Sequence, residues 1–361
     1  MGILRFILAI TVVIEHSSPI FGLSFMGGQI AVQAFFIISG FYMTLILREK
    51  YIGVNNSYRL FITNRLLRLY PVYWVLLMLV TAKSIVVALY SQGNSLGSFN
   101  VYRAYFDQMS WESLTFLITT NVFIFMQDLV LFLGLNTING QLFFTTNYKL
   151  TNPLLFEFLF IPQAWSIGIE LTFYLLAPLL VRNKLKIIVL MILISLLIRL
   201  VLISYGLNED PWSYRFFPTE LLFFLLGSLS YFIYVKISIN EIKPVYSTFI
   251  WISLVGLSFF YEFIPFSQKS ILYLIVFFIS IPFVFQLSKK WKLDAYIGEL
   301  SYPIYISHLF MLSCMEILNI SNPLGVGLSL SILTTLFSIL INEIIAKRIE
   351  RIRQRRVSYP T

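Results

Sequence analysis

Apolar runs of bilayer-spanning length alternate along the chain with short polar or basic breaks, and no stretch shows the period-two alternation of a membrane β-barrel strand. The pattern predicts ten spanning helices, at about 4–23, 29–47, 70–91, 160–181, 185–205, 216–235, 244–261, 270–288, 296–318 and 323–345. A further apolar run, Leu114 to Gly134, reads as re-entrant or interfacial, because a crossing there would put the basic turn Arg182–Lys186 outside. The fold class expected is therefore all-α: a polytopic helical membrane protein with both termini cytoplasmic. Residues 1–346 form one membrane domain and 347–361 a basic cytoplasmic tail. The first run is interrupted only by Arg5, Glu15 and His16 and lacks a clean small-x-small cleavage site, so it reads as a retained span.

Composition agrees with the pattern. The chain is 58% hydrophobic and 12% charged, with a mean hydropathy of +0.83, which excludes a water-soluble globule. The single cysteine, Cys314, excludes an intrachain disulfide, and one cysteine with two histidines argues against a bound metal. The net charge of +9 reports topology. Of 26 lysines and arginines, 20 fall on the predicted inner side, and Lys83, Arg103, Lys149, Arg199, Arg215 and Lys269 fall outside. Anionic headgroups account for such a surface, and no nucleic acid is called for. The tail from Lys347 to Arg356 reads as a helix end on the inner leaflet, a topology anchor. The two long outer loops, 92–113 and 135–159, are rich in Asn, Ser, Thr, Gly and aromatics and suit a sugar-facing surface.

Candidate chemistry follows from where polar groups interrupt the runs. Ionisable side chains inside a bilayer are costly, so their default reading is functional. Arg5 and His16 are eleven residues apart on the first helix. They share a face and are separated by about 16 Å of rise. Arg65 and Arg68 share a helix face on the cytoplasmic side and, with Arg5, could form one anion site, since guanidinium forks suit phosphate. Ser166, Glu170 and Tyr174 make a polar stripe after Trp165, and Ser301, Tyr305 and His308 make another. His308 reads as a residue that shapes the site or hydrogen-bonds, and Ser39 as a small residue permitting close helix approach.

Five motifs together resemble the membrane acyltransferase-3 family of bacterial inner-membrane O-acyltransferases. They are Arg5 and His16 in the first span, Phe35-Phe36-Ile37-Ile38-Ser39-Gly40-Phe41, Arg65-x-x-Arg68-Leu69-Tyr70-Pro71, Trp165-Ser166-x-x-x-Glu170-x-x-Phe173-Tyr174, and Ser301-Tyr302-Pro303-Ile304-Tyr305-x-x-His308. They occur in family order over nearly the full length. The resemblance implies transfer of an acyl group, usually acetyl from acetyl-CoA, to a hydroxyl of a cell-surface polysaccharide or lipid-linked glycan. It maps the family histidine onto His16, the donor-site arginines onto Arg5, Arg65 and Arg68, and the glutamate onto Glu170. In that mechanism His16 is general base or transient acyl carrier, and Glu170 is the candidate to orient its ring and stabilise its cation. One departure is Gln33, where members often carry an acidic residue; a second carboxylate near the base would then be Glu15 or Glu170. The competing class is a transporter or flippase for a glycan or lipid-linked intermediate, which does not require arginines aligned beneath a lone histidine.

Overall fold

The computed structural model describes residues 1–51, 57–237, 243–320 and 324–358. The predicted start of the last span, at 323, and the final three residues of the tail lie outside them. Helices stand at all ten predicted positions: α1 (Gly2–Glu15), α2 (Gly28–Glu49), α3 (Ser57–Tyr90), and, after the short outer helices α4 (Asn100–Tyr105) and α5 (Trp111–Phe123), α6 (Trp165–Leu180), α7 (Leu185–Ser204), α8 (Phe217–Lys236), α9 (Pro244–Phe259), α10 (Lys269–Ser288), α11 (Lys292–Ile317) and α12 (Val326–Ile341). A π-helical turn, Asn342–Ala346, leads from α12 into α13 (Lys347–Ser358).

Among the described residues, seven helical runs are long and apolar enough to cross a bilayer: α2, α3, Pro162–Leu180, α7, α8, α10 and Val326–Val357. The other three predicted spans depart for visible reasons. Helix α9 is apolar but has only 16 residues. Helix α11 has 26 residues but includes Lys292, Asp294, Glu299, His308 and Glu316. Helix α1 has 14 residues and ends well before the expected residue 23. Pro19 disfavours helix at Ser18, and the last carbonyls of α1 are taken by side chains: Ser17 Oγ donates to Val13 O at 2.7 Å, and His16 Nδ1 lies 2.9 Å from Val12 O. The run at 114–134 also resolves. Helix α5 has 13 residues, too few to span, and breaks at Ile124 and Met126, both at positive φ, before a 3-10 turn over Gln127–Phe132.

The chain forms two compact units. The first comprises Met1–Arg68, Leu176–Ile194 and Leu221–Thr361. Within it α1 packs on α11, α2 and α12, and α10 packs on α2 and α9. Two of these neighbours approach backbone to backbone. A side chain at Gly2 would strike the Asp294 backbone, and one at Gly298 would stand 2.7 Å from Gly2 Cα. The same reciprocity joins α2 to α8: Gly40 faces the Phe224 backbone and Gly227 the Ile37 carbonyl. Glycine is the residue that permits such contact between membrane helices. Both termini fall at one end of this unit. The Met1 ammonium and the Gly2 and Ile3 amides bind the Asp294 carboxylate at 2.6–2.9 Å, and Tyr296, half a turn beyond Asp294, donates to Glu343 just after α12.

The second unit comprises Leu69–Leu175 and Ser195–Glu220. Its outer loops are folded. Leu117, Val130, Leu135, Leu155, Phe158 and Leu159 form an apolar core beneath a two-stranded antiparallel hairpin, β1 (Leu133–Leu135) and β2 (Leu142–Phe144). Asn121 ties α5 to the following segment: its Nδ2 donates to Phe158 O, and its Oδ1 accepts from Phe160 N at 2.7 Å. Arg199 and Glu220 form an ion pair at 2.8 Å with the carboxylate wholly buried.

Candidate active site

The first unit brings both histidines together. His16, the C-terminal cap of α1, and His308, on α11, have ring centroids 4.9 Å apart with planes inclined at 50°. Tyr305 stands beside His308 at 6.2 Å, and Phe35 meets Tyr305 edge-on at 6.4 Å. Ser39 lies one turn beyond Phe35 on the same face of α2. Four of the five motifs thus contribute to this unit, and three of them line this aromatic corner.

The proton positions follow from the hydrogen bonds. A carbonyl oxygen only accepts, so a ring nitrogen against one carries the hydrogen. His16 Nδ1 donates to Val12 O at 2.9 Å and His308 Nδ1 donates to Tyr305 O at 2.6 Å. In each neutral ring this leaves Nε2 as the basic nitrogen. His308 is wholly buried and its Nε2 has no partner among the described residues, whereas His16 is exposed. His16 also stands at the carbonyl end of α1, as its C-terminal cap. Fourteen residues rise about 21 Å, less than the ~30 Å of a bilayer's apolar layer. A helix that starts at one surface therefore sets its cap within the membrane thickness.

Glu15, next to His16, is turned to another task. Its Oε2 accepts from Gly28 N at 3.2 Å at the N-terminus of α2, where a carboxylate is favoured. Gln33 is buried in α2.

At the opposite end of α1 lie the arginines. Tyr42 and Glu299 each lie in the electrostatic reach of both Arg5 and Arg68. Arg5 lies against Gly298: a Cβ there would stand at an ordinary contact distance, 3.6 Å, from Arg5 Nη1. Arg65 is buried and Arg68 half-buried. Both sit on α3, which starts at Ser57 and passes through Pro71, so the arginine motif is a helical turn continuous with the span predicted to begin at residue 70.

Another guanidinium lies close by, paired with Glu350 on its own helix. Arg353, assigned to a topology anchor, is buried; its Nε donates to Asn64 O at 2.8 Å, and it lies in the field of Arg65 and Arg68. Arg356 donates to Asn64 Oδ1 and Thr63 Oγ1 at 3.0 and 2.9 Å. Helix α13 is thus fastened to the start of α3, and the only sequence signal for it was the polar Thr63-Asn64 pair ahead of Arg65.

The remaining predicted residues lie in the second unit. Tyr174 donates to the Glu170 carboxylate one turn away, so two members of the stripe are bonded to each other. Ser166 Oγ reaches Gln163 O at 3.5 Å. Trp165 is covered by Arg215, whose guanidinium lies 4.3 Å above the ring, and meets Tyr214 at 4.8 Å. Asp210 pairs with Arg215 at 2.7 Å, and that pairing holds the guanidinium's pKa above its usual value against the effect of burial. Asp128, which no motif flagged, is buried beside α6, with its Oδ1 3.1 Å from where a Cβ on Gly168 would lie. Burial lifts its carboxyl to about 7.

Among the described residues no group of three or more His, Cys, Asp or Glu side chains could hold a metal ion. A protein of Aquifex aeolicus (strain VF5), described as an uncharacterized protein, is 31% identical over 205 residues, which is 54% of this chain and 89% of that one. No solved structure matches. A family model described as an acyltransferase domain matches residues 1–343, and with Arg5 and His16 toward the two ends of α1 in a chain of apolar spans, the chain belongs to the acyltransferase 3 family of membrane acyltransferases.

Proposed function

We propose that this protein is an O-acyltransferase, most simply an O-acetyltransferase, of a bacterial inner membrane. It takes the acyl group of cytoplasmic acetyl-CoA and delivers it to a hydroxyl of an extracytoplasmic polysaccharide or lipid-linked glycan. The observation that carries this reading is the arrangement of α1: Arg5 near one end, acting on the same neighbours as Arg68 of α3, and, about 16 Å further along the same face, an imidazole with Nε2 as its basic nitrogen. Arg5, Arg65 and Arg68 suit the phosphates of the donor. His16 Nε2 suits removal of the acceptor hydroxyl's proton as its oxygen attacks the thioester carbonyl and the carbon–sulfur bond breaks. The Val12 carbonyl already orients the ring, while Glu170, the carboxylate the family resemblance points to, is bonded to Tyr174 within the second unit. The membrane lipids are the remaining partner, met by the basic inner face.

Purified protein in lipid nanodiscs, supplied with acetyl-CoA labelled in the acetyl group and with glycan from the producing cell, tests this. Labelled glycan and free CoA are expected from the wild type and neither from His16→Ala. Transport of the glycan without consumption of acetyl-CoA would replace this reading with that of a flippase.

A further inference from the structure

Helix α12 carries a buried polar face that the site described so far does not use. Ser331, Thr334, Ser338 and Asn342 recur at steps of three, four and four, so they share one side of the helix over about 16 Å. Thr334, Ser338 and Asn342 are 0% exposed and Ser331 6%. Serine and threonine inside a membrane helix ordinarily bond back to the carbonyl one turn earlier, as Thr11 does to Ile7 and Thr335 to Ser331 in this molecule. The hydroxyls of Ser331, Thr334 and Ser338 do not: none has a hydrogen-bond partner among the described residues. A buried hydroxyl left unpaired costs roughly 1–3 kcal/mol, so three in register on one face are a cost that hydrogen-bonding partners would relieve.

The depth of this face is fixed at both ends. Toward the predicted outer side, Gly327 N donates to Ser18 Oγ at 2.9 Å, just beyond His16. Toward the inner side, Glu343 accepts from Tyr296, which lies half a turn from the Asp294 that holds Met1. Helix α12 packs on α1 and α11 between these points. Ser331 therefore stands near the level of His16 and Asn342 near the level of Arg5, and the unpaired hydroxyls follow the interval that separates the arginines from the imidazole. His308 Nε2, also buried and unpartnered, stands at the same outer end.

We propose that this face of α12 binds the pantetheine arm of the acyl donor, with Ser331, Thr334 and Ser338 hydrogen-bonding its amides and hydroxyl and Asn342 receiving it at the inner end. The proposal rests on the acyl-CoA reading above and assigns residues that the family motifs leave out. A flexible arm with hydrogen-bonding groups along its length needs partners at intervals in an apolar layer, and hydroxyls every turn or so supply them without charge.

The test measures binding of two probes to the full-length protein in nanodiscs: CoA, and adenosine 3′,5′-bisphosphate, which keeps the phosphates and lacks the arm. Wild type is expected to bind CoA more tightly. Ser331→Ala, Thr334→Val and Ser338→Ala combined remove the hydroxyls with little change of shape, and should weaken CoA by about tenfold or more while leaving the bisphosphate unchanged. Ser338→Leu, which fills the face, should erase the advantage of CoA, with retained bisphosphate binding reporting an intact fold. Variants with full CoA affinity, or with equal losses for both probes, would overturn the proposal. Failure of wild type to bind either probe would instead overturn the acyl-CoA reading on which it stands.

Discussion

His16 and His308 meet ring against ring, yet only one of them is accessible: His16 is exposed at the end of α1, and His308 is sealed inside the first unit 4.9 Å away. Two imidazoles at that distance do not both take a proton readily, because like charges so close oppose each other. The arrangement divides the work. On the proposed reading, His16 at the end of its helix is the proton acceptor and the buried His308 forms the wall behind it.

Replacement of His16 by Gln should therefore lower acyl transfer by about 10²–10⁴-fold, the span expected for loss of a positioned general base. His308→Asn should cost less, and its loss should show chiefly in acceptor or donor KM. The check is transfer measured at matched protein level for both variants. A larger loss of kcat in His308→Asn than in His16→Gln would move the base to α11.

Arg353 offers a sharper contrast between sequence and structure. As a topology anchor it would be interchangeable with its neighbours, and Arg353→Ala would leave enzyme in the membrane with unchanged donor affinity. As a buried guanidinium within the field of Arg65 and Arg68, its loss should weaken CoA binding by about tenfold, on the scale of one charge-assisted hydrogen bond. Arg355→Ala, at an exposed position of the same helix, should have little effect. Isothermal titration of CoA against the two variants distinguishes the cases.

The second unit has a pH signature. Burial raises the Asp128 carboxyl from its ordinary 3.8 to about 7. The folded state thus holds a proton that the unfolded state has released, so stability falls as pH rises from about 4 to 7 and levels off above. Asp128→Asn removes this dependence. Thermal unfolding in detergent should show the variant more stable than wild type at pH 8 and the difference shrinking toward pH 4. A constant difference across that range would show that Asp128 is already charged in the fold.

Much of this could be read from the chain, because bilayer physics writes strongly. Ten helices stand where apolar runs demanded them, and the spacing of Arg5 from His16 survives intact because both lie on one uninterrupted helix. Boundaries were less legible. The Ser17-Ser18-Pro19 sequence ends α1 early, and Pro71 fails to begin α3, since a helix supported by tertiary packing can pass through a proline. The juxtapositions of His16 with His308 and of Arg353 with Asn64 join residues 292 and 289 positions apart, and no local pattern encodes such distances. The unpaired hydroxyls of α12 were equally hidden: serine and threonine in an apolar run pass for ordinary packing until their partners are seen to be missing.

Helix α1 is clasped at both ends, by the Asp294 carboxylate at Met1, Gly2 and Ile3 and by the link from Ser18 to Gly327. It is a strut rather than a spring. Any displacement that changed the interval between Arg5 and His16 would first have to break one of these clasps or prise Gly2 away from Gly298. The gauge between the arginine and the imidazole is set when the protein folds, and it holds whatever the rest of the chain does.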